Sequence, residues 1–198
     1  DTHMIKSMEW GAVSYLSHSK YGTCTNGTCH EVGINNNSEF ITGCGAEKGS
    51  SSSTTCNSYD TELGQNASTT GNIYGVYDMS GGAYEYVMGN IVSSDGTTMI
   101  AGSSGFTTYP DAKYYDKYSF GTSDSQRIRS KLGDGIKEVL NISSRGWHSD
   151  FSNLARSNNP WFNRSGFYSS GSGAGAFYSI HRNGNAYTYY SSRLVITP

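Results

Sequence analysis

From Arg145 onward the chain is a series of short aromatic runs broken by Gly, Asn and Ser: "RGWHSDFSNLARSNNPWFNRSGFYSSGSGAGAFYSIHRNGNAYTYYSSRLVITP". Punctuation at that density leaves no room for a long helix. The segments "NRSGFY", "GAFYSIH", "AYTYYS" and "RLVIT" predict successive short antiparallel strands, with "RNGN" a hairpin signal. The same texture extends upstream, with 25 Gly and 16 Tyr against 3 Pro. Many turns and polar loops follow, yet 13% aromatic residues supply the ring surface of a packed core and argue against disorder.

Two segments carry helical spacing. Over residues 3–19, Ile5, Met8, Ala12 and Leu16 predict a core-facing stripe, with Thr2 as cap and Gly22 as terminator. Over residues 125–140, Ile128, Leu132, Ile136 and Val139 line up, weakened by Gly133 and Gly135. Residues 72–90, "NIYGVYDMSGGAYEYVMGN", read as a short strand, a turn, then a strand or helix start. Residues 23–70 read as loop, with the serine run Ser50 to Ser53 at an exposed tip. At 198 residues, with no internal repeat, one domain is expected over 1–198. Within it, 23–70 forms a disulfide-containing insertion and 161–198 a C-terminal display region. The chain opens on Asp1 without a signal peptide, which predicts a piece excised from a longer protein.

All four cysteines fall between Cys24 and Cys56, in "CTNGTC" and "CGAEKGSSSSTTC". Each pair encloses a flexible polar loop that gains from closure, so disulfides and an extracellular compartment are expected. Of the three connectivities, proximity favours Cys24–Cys29 with Cys44–Cys56. Zinc-type CxxC spacing is absent and only His30 adjoins the set, so no metal site is predicted. Net charge of −2 and 15% charged residues imply no polyanion-binding surface, and no run approaches the roughly 20 apolar residues of a membrane helix.

Catalytic signatures are missing. The five histidines are scattered, no GxSxG elbow or P-loop occurs, and "GSGAGA" leads into a strand-like rather than helical segment. Asp78 and Glu85 stand seven positions apart across a Gly–Gly turn. Asp78 is expected to accept backbone N–H bonds in that turn, and Glu85 to be half buried and bonded to main chain or a tyrosine hydroxyl. Both are read as structural, and no catalytic residue or cofactor is assigned.

"GVYDMSGGAYEYV" resembles the "GLYDMxGNVWEWV" signature of formylglycine-generating-enzyme-like domains, a branch of the C-type lectin fold. Gly75, Tyr77, Asp78, Met79, Gly81 and Glu85 match, while Tyr84 and Tyr86 stand where tryptophans do. Upstream, "MEWGAVSYL" resembles that family's helix at Trp10, Ala12 and Tyr15. Downstream, "FNRSGFY" resembles "LRGGSW" at Arg164 and Gly166, and "SSRLVI" resembles the closing "GFRxV" at Arg193. The resemblance implies an α+β, C-type lectin-like fold with short antiparallel strands, two helices and long irregular loops. Sulfatase-activating members use late cysteines, and this chain has none after Cys56; the His and carboxylate arrangement of iron-dependent members is not found either. The texture is closer to the variable ligand-binding proteins of diversity-generating retroelements, including pilin-linked surface proteins of gut Firmicutes. There the last strands and loops display ligand-binding residues, which implies an adhesin or receptor-binding module on a bacterial surface or pilus, or on a phage tail.

Composition supports that display independently. Tyr, Ser, Gly and Asn fill 20 of the 31 positions from 163 to 193, and no acidic residue follows Asp150. This is the palette of antibody paratopes. The candidate ligand-binding residues are Asn163, Ser165, Tyr168, Ser170, Ser179, His181, Arg182, Asn183, Asn185, Tyr187, Tyr189, Tyr190 and Ser192. Trp161, Phe162, Arg164, Gly166, Arg193, Leu194 and Val195 are assigned to the frame. Alternation in "AYTYYS" predicts Tyr187 and Tyr189 on one face and Tyr190 on the other. The expected partner is a protein or carbohydrate, with no nucleic acid, no direct membrane contact and no calcium-type sugar triplet. The alternatives are a formylglycine-generating-like oxidative enzyme and a structural pilus or tail subunit.

Overall fold

The computed structural model describes residues 2–47, 49–50, 56–100, 110–120, 131–139 and 144–196. These form a mixed α/β fold with more sheet than helix. Strand β1 (Thr2–Met4) leads into helix α1 (Ser7–Ser17), followed by a small hairpin of β2 (Cys24–Thr25) and β3 (Thr28–Cys29). The central sheet is built from β4 (Tyr84–Ile91), β5 (Asp116–Tyr118), β6 (Trp161–Arg164), β7 (Ser179–Arg182) and β8 (Tyr190–Ser191). The last strand, β9 (Leu194–Ile196), returns to pair antiparallel with β1.

The central sheet is mixed. β4 pairs antiparallel with β6 and β6 with β7, whereas β5 and β8 both run parallel to β4. The expectation of uniformly antiparallel strands is therefore corrected. β5 and β8 reach β4 through long connections rather than tight turns, as parallel pairing requires. "RNGN" makes no hairpin either. β7 ends at Arg182 and β8 joins a different strand, while the Asn185 N–H donates to Asn183 Oδ1 at 3.2 Å and holds the connection in a local turn.

The first helix forms with a shifted start and a different buried face. Thr2 lies in β1, and α1 begins after Lys6, whose N–H donates to the Glu9 carboxylate at 2.8 Å. Its buried residues are Ser7, Trp10, Gly11, Ser14 and Ser17, while Ala12 and Leu16 face solvent. The expected stripe is displaced because the helix packs against backbone. Trp10 Nε1 and Ser14 Oγ both donate to Ala176 O, at 2.9 and 2.8 Å. A Cβ on Gly11 would sit 2.2 Å from Gly133 O, so only glycine permits this approach.

No second α-helix occurs among the described residues, which otherwise hold only short 3-10 turns such as Gly64–Ala67. Residues 131–139 of the expected helix are turns, and the rest of it lies outside the described set. Gly133 and Gly135 adopt φ of 94° and 65°, in the left-handed region. Between them the buried Asp134 accepts the N–H groups of Ile136 at 2.8 Å and Lys137 at 3.0 Å, an Asx turn that a helix running through this position would not contain.

The insertion at 23–70 carries both disulfides, Cys24–Cys29 and Cys44–Cys56. Its first loop is a hairpin turned at Asn26–Gly27, both with positive φ. Of the serine run, only Ser50 is among the described residues. Val32, Ile34, Asn35 and Asn37 are buried, so part of the insertion belongs to the interior. Among the described residues no helix is long and apolar enough to cross a membrane.

The two faces of the central sheet differ. Val87 and Phe162 point into the main core with Ile5, Trp10, Met79 and Ile136. Tyr86, Met88 and Trp161 belong to a second, smaller cluster with Met4, Met99 and Tyr115. The alternation of "YEYVM" sends Glu85 and Val87 inward and Tyr84, Tyr86 and Met88 to the other side.

Candidate ligand-binding face

The turn that precedes β4 fixes the sheet to its surroundings. The Gly81 N–H donates to Ser165 O at 2.9 Å and the Gly82 N–H to Asn35 O at 2.7 Å. Gly81 has φ of 76°, and a Cβ there would meet Asn35 O at 2.4 Å. Asp78 Oδ1 accepts from Asn35 Nδ2 at 2.9 Å and, at the limit of reach, from the Gly43 N–H. The main partner of Asp78 is thus a side chain and not the backbone of its own turn, which corrects the expectation.

Glu85 is corrected from half buried to buried, and its partner is neither main chain nor tyrosine. Arg193 grips it with two nitrogens, Nε donating to Oε2 at 2.5 Å and Nη2 to Oε1. The same guanidinium donates to the carbonyls of Tyr77 and Asp78 and lies over the Trp10 ring at 5.1 Å. Burial pushes the Glu85 carboxyl above its ordinary range, and the hydrogen bonds and charge of Arg193 pull it back only in part. Arg164, fully buried, also lies over Trp10 and donates to Asp134 O at 2.9 Å; burial lowers its pKa to about 10. At neutral pH both arginines are cations in contact with one indole.

On the other side of the sheet the aromatic residues form one connected surface. Tyr187 and Tyr189 stack with ring centres 5.4 Å apart and planes 11° from parallel. Tyr190 meets both edge-on, at 5.1 and 5.0 Å, and passes the contact on to Tyr84 and Tyr86, which corrects the expectation of Tyr190 on the opposite face. The chain turns here, the Tyr190 N–H donating to Tyr187 O at 3.0 Å, so strand alternation does not apply. Tyr84 stacks on Phe167, which touches Tyr168, and Tyr168 touches Phe40. At the opposite end Tyr86 abuts Trp161. Arg182 lies over the Tyr84 ring at 5.2 Å and its Nε donates to Tyr190 Oη at 2.7 Å. Burial raises the pKa values of Tyr86, to about 12, and of Tyr190; the Tyr86 hydroxyl donates to Asn185 O, while that of Tyr190 accepts from Arg182.

The candidate residues divide between this face and the interior. Tyr187 is 50% exposed, Tyr189, Tyr190 and Arg182 are partly exposed, and Ser192 is exposed. Asn183 and Asn185 lie on the connection leading to the tyrosines, and Tyr168 and Ser170 flank Phe167 at the far end. Asn163, Ser165 and Ser179 are fully buried and do not belong to an exposed surface. Ser165 Oγ donates to Ala83 O at 3.0 Å, and Ser179 Oγ to Asn153 O at 2.9 Å. His181 stands opposite Phe162 in register, on the core side, and so does not share a face with Arg182. Phe177 and Tyr178 are also interior. Leu194, assigned to the frame, is 69% exposed on β9.

Sequence reasoning missed Tyr84, Tyr86 and Met88, treating the first two as mere neighbours of Glu85. Their period-2 spacing in "YEYVM" was the available signal. Beside Tyr86 a cleft of about 260 Å³ opens, lined by Met4, Tyr86, Met88 and Trp161 with Gly184, Ser191 and Ser192 at its rim. Among the described residues no group of three or more His, Cys, Asp or Glu is placed to hold a metal ion. No protein-family model matches the chain, and comparison with curated proteins gave no match.

Proposed function

We propose that this protein is a non-catalytic ligand-binding module, an adhesin or receptor-binding domain, that presents its tyrosine face from a C-type lectin-like frame of the formylglycine-generating-enzyme-like branch. The observation that carries the binding reading is the continuous ring surface from Trp161 to Tyr168, partly open to solvent and backed by a hydrogen-bonded sheet. Tyrosine offers large contact area at low entropic cost, and rings already stacked on one another lose little freedom on binding.

The frame reading is supported by where the family-like residues meet. Arg164 and Arg193, from distant parts of the chain, converge on the Trp10 indole, with Glu85 and the Tyr77 and Asp78 carbonyls holding Arg193. A constellation of that kind explains why such short motifs would recur in a fixed order. The two disulfides agree with an extracellular location, which we assign to a bacterial surface, pilus or phage tail. The relationship to retroelement variable proteins is tested by the genomic neighbourhood. A reverse transcriptase beside a near-copy of this gene's 3′ end supports it, and a neighbourhood without either removes it.

The binding reading is tested by probing arrays of purified extracellular proteins and of glycans with the protein and with its Tyr187→Ala/Tyr189→Ala variant. Signals lost in a variant that unfolds at the same denaturant concentration support the reading. Signals that survive unchanged contradict it. The exposed face also favours one other reading, a pilus or tail subunit covered by its next copy, which would show as oligomers in solution without added ligand.

A further inference from the structure

We propose that the cleft beside Trp161 is an anchor slot for one aromatic side chain of a protein partner, with Arg182 receiving a carboxylate next to it. This deepens the ligand-binding reading above and rests on it. At about 260 Å³ the cleft is smaller than the roughly 300–1,000 Å³ of small-molecule pockets, so it suits a single side chain rather than a cofactor.

Its walls are an indole, a phenol and two thioethers, from Trp161, Tyr86, Met4 and Met88. Thioethers adapt to the shape of an entering ring and make favourable contacts at its edge, and aromatic walls add edge-to-face contacts. Among the described lining residues the side-chain hydroxyls are those of Ser191, Ser192 and Tyr86, and that of Tyr86 is already donated to Asn185 O. A sugar ring entering such a slot would leave most of its hydroxyls without partners, at a cost for each buried polar group. An aromatic side chain meets no such penalty, and a tyrosine can keep its hydroxyl at the rim.

Charge selects the surroundings of that side chain. Arg182 stands directly opposite Trp161 across β6 and β7. Its Nε is engaged by Tyr190 and its Nη1 by His181 O, while Nη2 makes no hydrogen bond among the described residues. Glu85 projects to the other face and is held by Arg193, and no acidic residue follows Asp150. Arg182 therefore offers its Nη2 to a carboxylate beside the slot, which suits an acidic residue adjacent to the aromatic one.

The test uses protein labelled with ¹³C at the methionine methyl groups, titrated with N-acetyl-tyrosinamide and, separately, with methyl β-glucopyranoside. Saturable shifts of Met4 and Met88 with the tyrosine probe are expected. Met8 and Met79, which do not line the cleft, should stay in place, and Ser192→Trp should abolish the response. N-acetyl-Asp-Tyr-amide should bind about threefold tighter than its Asn counterpart at low salt, as a solvent-exposed ion pair allows, and lose that advantage in Arg182→Ala. No saturable shift at Met4 and Met88, or equal shifts with the glucoside, overturns the slot, and equal binding of the two dipeptides overturns the role of Arg182. Tyr187→Ala/Tyr189→Ala leaves the cleft lining untouched and should keep the shifts even where it loses array binding. Absent shifts with array binding retained would remove the slot and leave the ligand-binding reading standing.

Discussion

Trp10 shows how much a few residues decide. Its indole donates to Ala176 O while two guanidinium groups rest over its ring. Removing one partner of the buried Glu85–Arg193 pair strands a charge in the interior. Arg193→Ala should therefore cost about 3–5 kcal/mol, measured by urea unfolding. Arg193→Lys should recover only part of this, since an ammonium cannot reproduce the two-nitrogen grip and the bonds to the Tyr77 and Asp78 carbonyls. A loss below about 1 kcal/mol for Arg193→Ala would contradict a central role for the pair. That Asp78 and Glu85 would be hydrogen-bonded within the protein was legible from the glycine turn between them. The partner of Glu85 was not, because it lies 108 positions away and nothing local in either segment announces the other.

Tyr86 supplies a test of the outer face by pH. Its hydroxyl donates to Asn185 O at 3.0 Å, and burial, followed by the nearby Tyr190, raises its pKa to about 12 from an ordinary 10.0. In the unfolded chain the phenol ionises first. The stability it contributes is thus complete below pH 10 and is lost as pH rises through about 12. Denaturation midpoints taken from pH 9 to 12 should fall less steeply in Tyr86→Phe than in the parent. Identical slopes would show that Tyr86 titrates like a free phenol.

At the scale of elements, α1 illustrates how periodicity can find a helix and miss its orientation. Ile5, Met8, Ala12 and Leu16 marked the helix, but its buried side is the small-residue side, because what it packs against is the main chain at 133–134 and Ala176. Hydrophobic spacing records apolar contacts and is silent about backbone contacts. Gly11→Ala separates the two effects. Alanine raises helix propensity by about 1 kcal/mol, yet its Cβ would overlap Gly133 O and Asp134 C, at 2.2 and 2.5 Å. Steric conflict should win, and overpacking of this kind costs about 1–3 kcal/mol. A stabilised Gly11→Ala protein would show that the helix is not docked this closely. The hairpin at Cys24–Cys29 corrects the reading of 23–70 as loop, although its Asn–Gly pair was the available signal, whereas "RNGN" carried the same signal without a second strand to meet. Asn–Gly sets a turn; whether strands follow depends on partners elsewhere in the sheet.

For the whole molecule, the sheet divides labour between its faces. The inner face holds the apolar core and the arginine–tryptophan cluster, and the outer face carries tyrosines from three separate stretches: 84–86, 168 and 187–190. The paratope-like composition after residue 163 was visible in the sequence, as was the pairing of the four cysteines. Composition could not tell which serines and asparagines would be interior. Asn163, Ser165 and Ser179 are of the same types as their exposed neighbours and differ in what packs over them, since Asn163 stands in register with Tyr86 and is still fully buried. Hydroxyl-radical footprinting of dilute protein tests the division of faces most directly. Among the tyrosines of this face Tyr187 should be oxidised fastest, and Phe162, Phe177 and Tyr178 should be protected. Tyr187 and Tyr189 as protected as Phe177 would show that the tyrosine face is closed, and the account of a surface held open for a ligand would fail.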